Sequence, residues 1–354
     1  KSQPVSWVKI RFTNNTGDTQ VNYLHNNTSY YNRIFKSYLF SNGDLIAQQE
    51  YNFAHPNIAK QLNGSAHVQE IKLAPYQTQI LFIRSEALYA HIYDFELYDK
   101  IQSSQALINK NLLPNILISI LISLALYNLS LYFFGESRAL FYYSLYLLNA
   151  AIGLMYMYGT IYHNFNIYGA ATNWFNLTAV LVPFFLSLFI KAVLNTRQID
   201  PFIDKMLNAT LVLCLLDVLV AVLVELPLAM HLSWIVFCIS FFVVSYLCFK
   251  FYQGQHPLIK VFAVAYGIYV LGMSATYLCL FGVIEFTDVN FYASGVGLLI
   301  EALLFSNLLR YRTILLDEET LLQKENGVRL NYLANHDQLT ELPNRRLFFE
   351  IAQA

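Results

Sequence analysis

The stretch "LLPNILISILISLALYNLSLYFF", residues 112–134, decides what kind of protein this is. It carries no charged side chain, and at about 1.5 Å of rise per residue it is long enough to cross the ~30 Å hydrocarbon core of a bilayer as one helix. The pattern then repeats. Apolar runs lie near 112–134, 139–159, 173–194, 206–226, 231–252, 259–284 and 290–313. Polar or turn-forming clusters separate them: "GESR", "YHNFNIYGAATN", "NTRQIDPFIDK", "LPLAMH", "FYQGQHPLIK" and "EFTDVN". The spacing predicts a seven-helix transmembrane bundle over 106–313, with membrane lipid as an obligatory partner.

The charges support this division. The chain is 56% hydrophobic and only 13% charged, against roughly 25% charged in an average soluble domain. Residues 1–110 hold 18 charged side chains, 111–307 hold 14, and 308–354 hold 13. The longest block is the poorest, so an ordinary outer domain, a membrane core and a polar tail are expected. A net charge of −1 gives no reason to expect nucleic acid as a partner. The four cysteines, Cys214, Cys238, Cys248 and Cys279, all lie in apolar runs, so no disulfide framework supports the first domain. His25, His55, His67 and His91 lack metal-ligand spacing, and no metal site is expected.

Lys and Arg of short loops mark the cytoplasmic side of a membrane protein. The first, third and fifth loops with their flanking helix ends, and the end of the seventh run, hold Arg138, Lys191, Arg197, Lys205, Lys250, Lys260, Arg310 and Arg312. The second, fourth and sixth loops hold none. Lys110 points the other way but is outweighed. The amino terminus is expected outside and the carboxyl terminus in the cytoplasm. The chain begins with Lys1 rather than Met, and removal of an export signal is the corresponding expectation.

Residues 1–105 read as strands. In "VSWVKIRFT", Val8, Ile10 and Phe12 alternate with Lys9 and Arg11, the period of two of a half-buried strand. "RIFKSYLF" runs through the turn signal Asn42-Gly43 into "LIAQ"; "VQEIKL" turns at "APYQ" into "TQILFIR"; "HIYDFELYD" alternates again. Short strands with closely spaced turns predict an antiparallel β-sandwich. Its aromatics Trp7, Tyr23, Tyr30 and Tyr31 either stack on a ligand or fill the core, and filling the core is the commoner use.

Four polar residues stand inside the apolar runs. Glu301 is near the middle of the seventh and Asp217 near the middle of the fourth, with Asn128 and Asn149 as candidate partners. A charge at that depth costs about 2.5–3.5 kcal/mol on insertion scales, so each is expected to face the bundle or to be protonated. Packing through interhelical hydrogen bonds is the preferred reading, and a polar switch the alternative. Residues 290–309 contain no lysine, which excludes a retinal Schiff base there. No internal repeat of the kind carriers show relates the two halves.

Beyond the seventh run, residues 314–335 stay helical in pattern. Ile314, Leu321 and Val328 are spaced by seven, as are Leu308, Leu315 and Leu322, which fits either a short paired helix or an amphipathic connector. Next comes "NHDQLTELPNRRLFFE", residues 335–350. Asn344 can cap a new helix there, with Pro343 stopping the previous one.

The pattern His336-Asp337-x-Leu339-Thr340-x-Leu342-Pro343-Asn344-Arg345-Arg346 resembles the opening of GGDEF domains, the α/β catalytic modules of diguanylate cyclases; Glu341 replaces a common glycine. "ALYNLSLYFFGESRALFYYSLYLL" (125–148) and "GLLIEALLFSNLLRYR" (297–312) resemble the first hairpin and last helix of bacterial seven-transmembrane receptors with diverse intracellular signalling modules. The outer region resembles the second, jelly-roll-like type of extracellular domain in that family. The resemblance implies a receptor in the bacterial inner membrane that senses an extracytoplasmic small molecule, a carbohydrate being one class. It implies a homodimer through the connector and the GGDEF domain, and an output joining two GTP into cyclic di-GMP with magnesium. Only residues 336–354 resemble that domain, and none is catalytic, so this chain alone is expected to be inactive. A catalytically dead GGDEF domain serving as a scaffold, and less so a transporter, are the alternatives.

Overall fold

The computed structural model describes residues 5–55, 57, 58, 61–87, 91–134, 137–253, 258–336, 342 and 344. The chain forms two compact units, residues 1–305 and 306–354. The first opens with strands β1 (Val5–Thr13), β2 (Gln20–Asn26), β3 (Asn32–Ser41), β4 (Asp44–Asn52), β5 (His67–Leu73), β6 (Thr78–Ala87) and β7 (Phe95–Tyr98). They form two antiparallel sheets, ordered β1-β6-β3-β4 and β5-β2-β7. Asn42 and Gly43 both take positive φ in the β3–β4 hairpin, as the turn signal predicts.

Alternation fixes which face is inside. Along β6, Gln79, Leu81, Ile83, Ser85 and Ala87 are buried while their neighbours are not. With Leu24, Phe35, Leu39, Ile71 and Leu73 they fill the space between the sheets. A one-residue slip would turn this set to solvent. The turn at "APYQ" crosses between sheets: β5 pairs with β2, whereas β6 pairs with β1 and β3.

Helix α1 (Lys100–Asn109), which the apolar-run reading does not separate, starts where Asp99 accepts a hydrogen bond from the Gln102 amide at 2.8 Å. Its Ser103 hydroxyl meets His25 Nε2 of β2 at 2.8 Å. The remaining helices are α2 (Leu112–Phe133), α3 (Arg138–Met157), α4 (Thr160–Phe165), α5 (Leu177–Leu194), α6 (Thr196–Ile199), α7 (Pro201–Leu223), α8 (Leu226–Gln253), α9 (Ile259–Leu280) and α10 (Asp288–Asn335). Among the described residues, seven segments are long and apolar enough to cross a membrane: Lys100–Phe133, Arg138–Met157, Ala170–Leu194, Pro201–Leu223, Leu226–Gln253, Ile259–Leu280 and Asp288–Leu315. They match the seven apolar runs. Most of them expose large apolar side chains on their outer sides, a surface suited to lipid rather than water.

The cluster "YHNFNIYGAATN", read as a separator, has a larger part. Ile161, Tyr162 and Tyr168 belong to the sandwich core. Tyr168 donates its hydroxyl proton to the Gly64 carbonyl at 2.9 Å, and the Ala170 amide donates to the Ala54 carbonyl at 3.1 Å. The loop between the second and third spans therefore completes the sandwich from below. At the opposite helix ends, Asp200 caps α7 through the Phe202 and Ile203 amides and pairs with Lys250, while Lys191 pairs with Asp204 at 3.0 Å.

In the second unit, α10 continues to Asn335, and residues 321–334 are solvent-exposed. The Asn344 side-chain amide donates to the Ala334 carbonyl at 2.7 Å, and its backbone amide to the Asn335 carbonyl at 2.9 Å. It thus closes the end of the helix before it. The residues of the helix it was expected to cap lie outside those described.

Gly159, just ahead of the "YHNFNIYGAATN" loop, makes a close contact with the sandwich. Its φ is +74°, and a Cβ there would lie 2.7 Å from the Tyr30 ring and 2.8 Å from Ser65 Cβ. Gly43 has φ +94° but nothing within 4 Å. Gly43→Ala should cost about 1–2 kcal/mol from left-handed strain alone, and Gly159→Ala about 1–3 kcal/mol more from overlap. Thermal unfolding in detergent measures both, and equal losses would refute the packing described.

Candidate functional site

The residues that join the sandwich to the bundle converge on the end of α3. Its last carbonyl, on Met157, accepts hydrogen bonds from two hydroxyls of the sandwich, Tyr30 at 2.9 Å and Tyr31 at 2.7 Å. The two rings pack on each other at 4.7 Å, and Tyr30 also packs on Tyr162 at 5.3 Å. Burial, then neighbouring tyrosines, push both phenols well above their ordinary range, so they remain donors.

The next residue, Tyr158, faces the other way. Its hydroxyl accepts from the Gly295 amide of α10 at 2.9 Å and meets the Ser294 hydroxyl at 3.1 Å. From α9, the Thr276 hydroxyl accepts from the Ser294 amide at 3.0 Å and lies 3.0 Å from the Asn290 carbonyl. Two side-chain hydroxyls thus share the backbone partners of one turn of the seventh span. Insertion of side chains into the ladder of a helix is a recognised cause of bending. The elements approach closely here: a Cβ on Gly272 would lie 2.5 Å from the Ala293 carbonyl, and one on Gly295 2.7 Å from the Tyr158 hydroxyl. The small-residue run Ser294-Gly295-Val296-Gly297 was the visible sign of such an approach.

A second tie lies beside it. Lys110, at the end of α1, reaches Asp94 at 2.6 Å, Glu96 at 3.6 Å and Asp288 of α10 at 3.8 Å. The Asn27 side-chain amide donates to Asp94 at 3.0 Å and Glu96 at 2.6 Å. The one cation that ran against the loop-charge asymmetry is therefore neutralised where it stands.

Deeper in the bundle, Glu301 is fully buried on α10. It accepts a hydrogen bond from the Tyr146 hydroxyl of α3 at 2.8 Å, and its second oxygen has no partner among the described residues. One residue along, the Ala302 carbonyl accepts from Tyr143 at 2.9 Å. Asp217 is buried on α7, with neither carboxylate oxygen partnered among the described residues. Asn149 bridges α3 to the Thr178 carbonyl at 2.9 Å, and Asn128 bonds the Leu124 carbonyl of its own helix at 2.7 Å. None of these bonds joins one of the four polar residues to another. Tyrosines, which in an apolar run look like ordinary core, supply Glu301's contact.

In the tail, His336 stacks on Tyr332 at 4.2 Å and Leu342 is exposed. Asp337, Leu339, Thr340, Pro343, Arg345 and Arg346 lie outside the described residues. Trp7 is exposed and stacks on Tyr38. No group of three or more His, Cys, Asp or Glu able to hold a metal occurs among the described residues.

Removing the Tyr146 hydroxyl strands a buried carboxyl group. Tyr146→Phe should cost about 1–3 kcal/mol. Glu301→Gln keeps an acceptor and should cost less, and adding Glu301→Leu to Tyr146→Phe should recover most of the loss. Unfolding of the wild type, Tyr146→Phe, Glu301→Leu and the variant carrying both in detergent forms a double-mutant cycle; a coupling near zero would remove this pair from the account.

Comparison with known proteins gives one clear result. A family model described as 7TM diverse intracellular signalling matches residues 110–312, more than half of the chain, while no curated protein matches. The matched stretch runs from Lys110, between α1 and α2, into α10 and takes in all or most of each of the seven spans. The chain belongs to the 7TM diverse intracellular signalling family and is a multi-pass membrane signalling receptor.

Proposed function

We propose that this receptor senses a small molecule with its sandwich, held outside the bacterial inner membrane, and controls a GGDEF diguanylate cyclase on the cytoplasmic side. One observation carries the coupling. The outer domain's Tyr30 and Tyr31 hold the Met157 carbonyl, and the adjoining Tyr158 holds the amide of Gly295 in the seventh span. That span belongs to a helix of 48 residues ending at Asn335, directly before the GGDEF-like motif. At about 1.5 Å per residue its contour is about 72 Å, so Gly295 and Asn335, the residue before the motif, lie on one helix. For control to follow, the ligand must bind two states of the receptor with different affinity.

The orientation rests on the Lys and Arg bias of alternate loops. The cyclic di-GMP output rests on the motif from His336 to Arg346. GTP and magnesium belong to the remainder of that domain, and the joining of two GTP calls for a homodimer, with the connector helix pairing the protomers. A non-catalytic GGDEF domain used as a scaffold is the second reading, favoured only if the domain's glycine-rich loop is altered.

The test uses the protein with its complete output domain, in membranes supplied with GTP and magnesium. Cyclic di-GMP is expected, and a folded protein that makes none rules out the cyclase. Tyr158→Phe and Thr276→Val each remove a side-chain hydroxyl that bonds the shared turn. Each should shift basal output by about 2- to 10-fold, the population change that about 0.5–1.5 kcal/mol produces. Unchanged output in both variants excludes the route through this turn. Paired reporter fusions at the two ends check the orientation.

A further inference from the structure

The interior of the sandwich changes character along its length. Strand β5 buries Ile71 and Leu73 at one end of its inner face and His67 and Gln69 at the other. Across the strand pair, Asn26 is the register partner of both His67 and Phe95. The His67 ring packs on Tyr51 at 4.2 Å and Phe35 at 5.2 Å in the facing sheet. Phe35 lies opposite Ser85, whose hydroxyl meets His91 Nδ1 at 3.0 Å and the Tyr93 hydroxyl at 2.5 Å. Tyr93 stacks on Phe95 at 5.7 Å, which closes a ring of side chains spanning both sheets.

Several polar groups of this ring and its neighbour Ser37 have no partner among the described residues. They are both ends of the Asn26 amide, the Ser37 hydroxyl, His67 Nε2 and His91 Nε2. Asn26 and Ser37 are 1% exposed and His67 is 2% exposed. A buried polar group left unpaired opposes folding, and native proteins keep such groups rare. Their concentration at one end of one domain calls for a partner that supplies both donors and acceptors. None of these residues is charged, and burial pushes the His67 imidazole down to about 4, so it stays neutral.

We infer that this end of the sandwich is a binding site for a small, uncharged, hydroxyl- or amide-bearing molecule, held by Asn26, Ser37, His67 and His91 beside the Phe35 and Tyr51 rings. The site deepens the receptor reading and rests on it only for its consequence. Strand β2 runs from Asn26 into Asn27 and the 3-10 turn Ser29–Tyr31, whose tyrosines hold the Met157 carbonyl. Strand β5 is entered from Ser65, whose carbonyl accepts from the Ser29 hydroxyl at 2.9 Å. A molecule bonded to Asn26 and His67 thus grips the two strands that lead to the junction.

The test reads binding alone, apart from any output. The protein, with histidines labelled with 15N, is titrated in detergent with D-glucose, glycerol and acetamide, and separately with acetate and methylammonium. The His67 signals are identified by their loss in His67→Gln. A saturable shift of His67 with an uncharged probe, absent with both ions and abolished in Asn26→Leu, is the expected result. Asn26→Leu and Ser37→Ala should leave the melting temperature unchanged or raise it, because each removes an unpaired group. No saturable shift with any uncharged probe overturns the inference. A lowered melting temperature in both variants does so too, since it means ordered water already satisfies these groups. Output that responds to Tyr158→Phe in a protein without such binding would retire the binding site and keep the receptor reading.

Discussion

The Tyr158 hydroxyl, holding the Gly295 amide, is the contact on which the rest of the structure depends. It sits one residue from a carbonyl that two tyrosines of the sandwich occupy, and it engages the seventh span, whose helix runs on to Asn335. In water a single neutral hydrogen bond contributes little, because solvent competes for both partners. Here the hydroxyl and the Ser294 side chain it meets are buried, and the alternative is an unpaired group. The bond therefore has a cost of loss well above its net gain, which is what allows a small displacement to matter.

The loop between the second and third spans is the mechanical consequence. It is neither a flexible connection nor part of the membrane bundle; its aromatic residues fill the base of the sandwich. A sandwich of seven short strands has a limited core, and this one borrows part of it from the membrane domain. Loss of the loop's packing would weaken both the sandwich and its hold on α3, because the two share the same aromatic residues.

Charge in this protein is treated by local neutralisation. Lys110 meets two carboxylates of the sandwich and one of α10, and Asp200 and Asp204 meet Lys250 and Lys191. Within the spans, Glu301 has one tyrosine donor and Asp217 has no partner among the described residues. Both groups are dearer to bury in an apolar span than a leucine.

The amino-acid sequence alone determined the architecture. Seven apolar runs long enough for a bilayer, and strands with a period of two, follow from solvent partition and backbone geometry, both local properties. Gly43 was legible for the same reason, since a hairpin turn needs its φ. The junction was not. Tyr30, Tyr31 and Tyr158 look like any aromatic in an apolar stretch, and which hydroxyl meets which carbonyl depends on residues more than a hundred positions apart. Only the tertiary structure decided that the "YHNFNIYGAATN" loop enters the sandwich, that Tyr146 rather than an asparagine serves Glu301, and that one end of the sandwich interior is polar. Hydrogen-bond partners across a fold are set by the register of strands and the crossing of helices, and neither is written in the spacing of residue types along the chain.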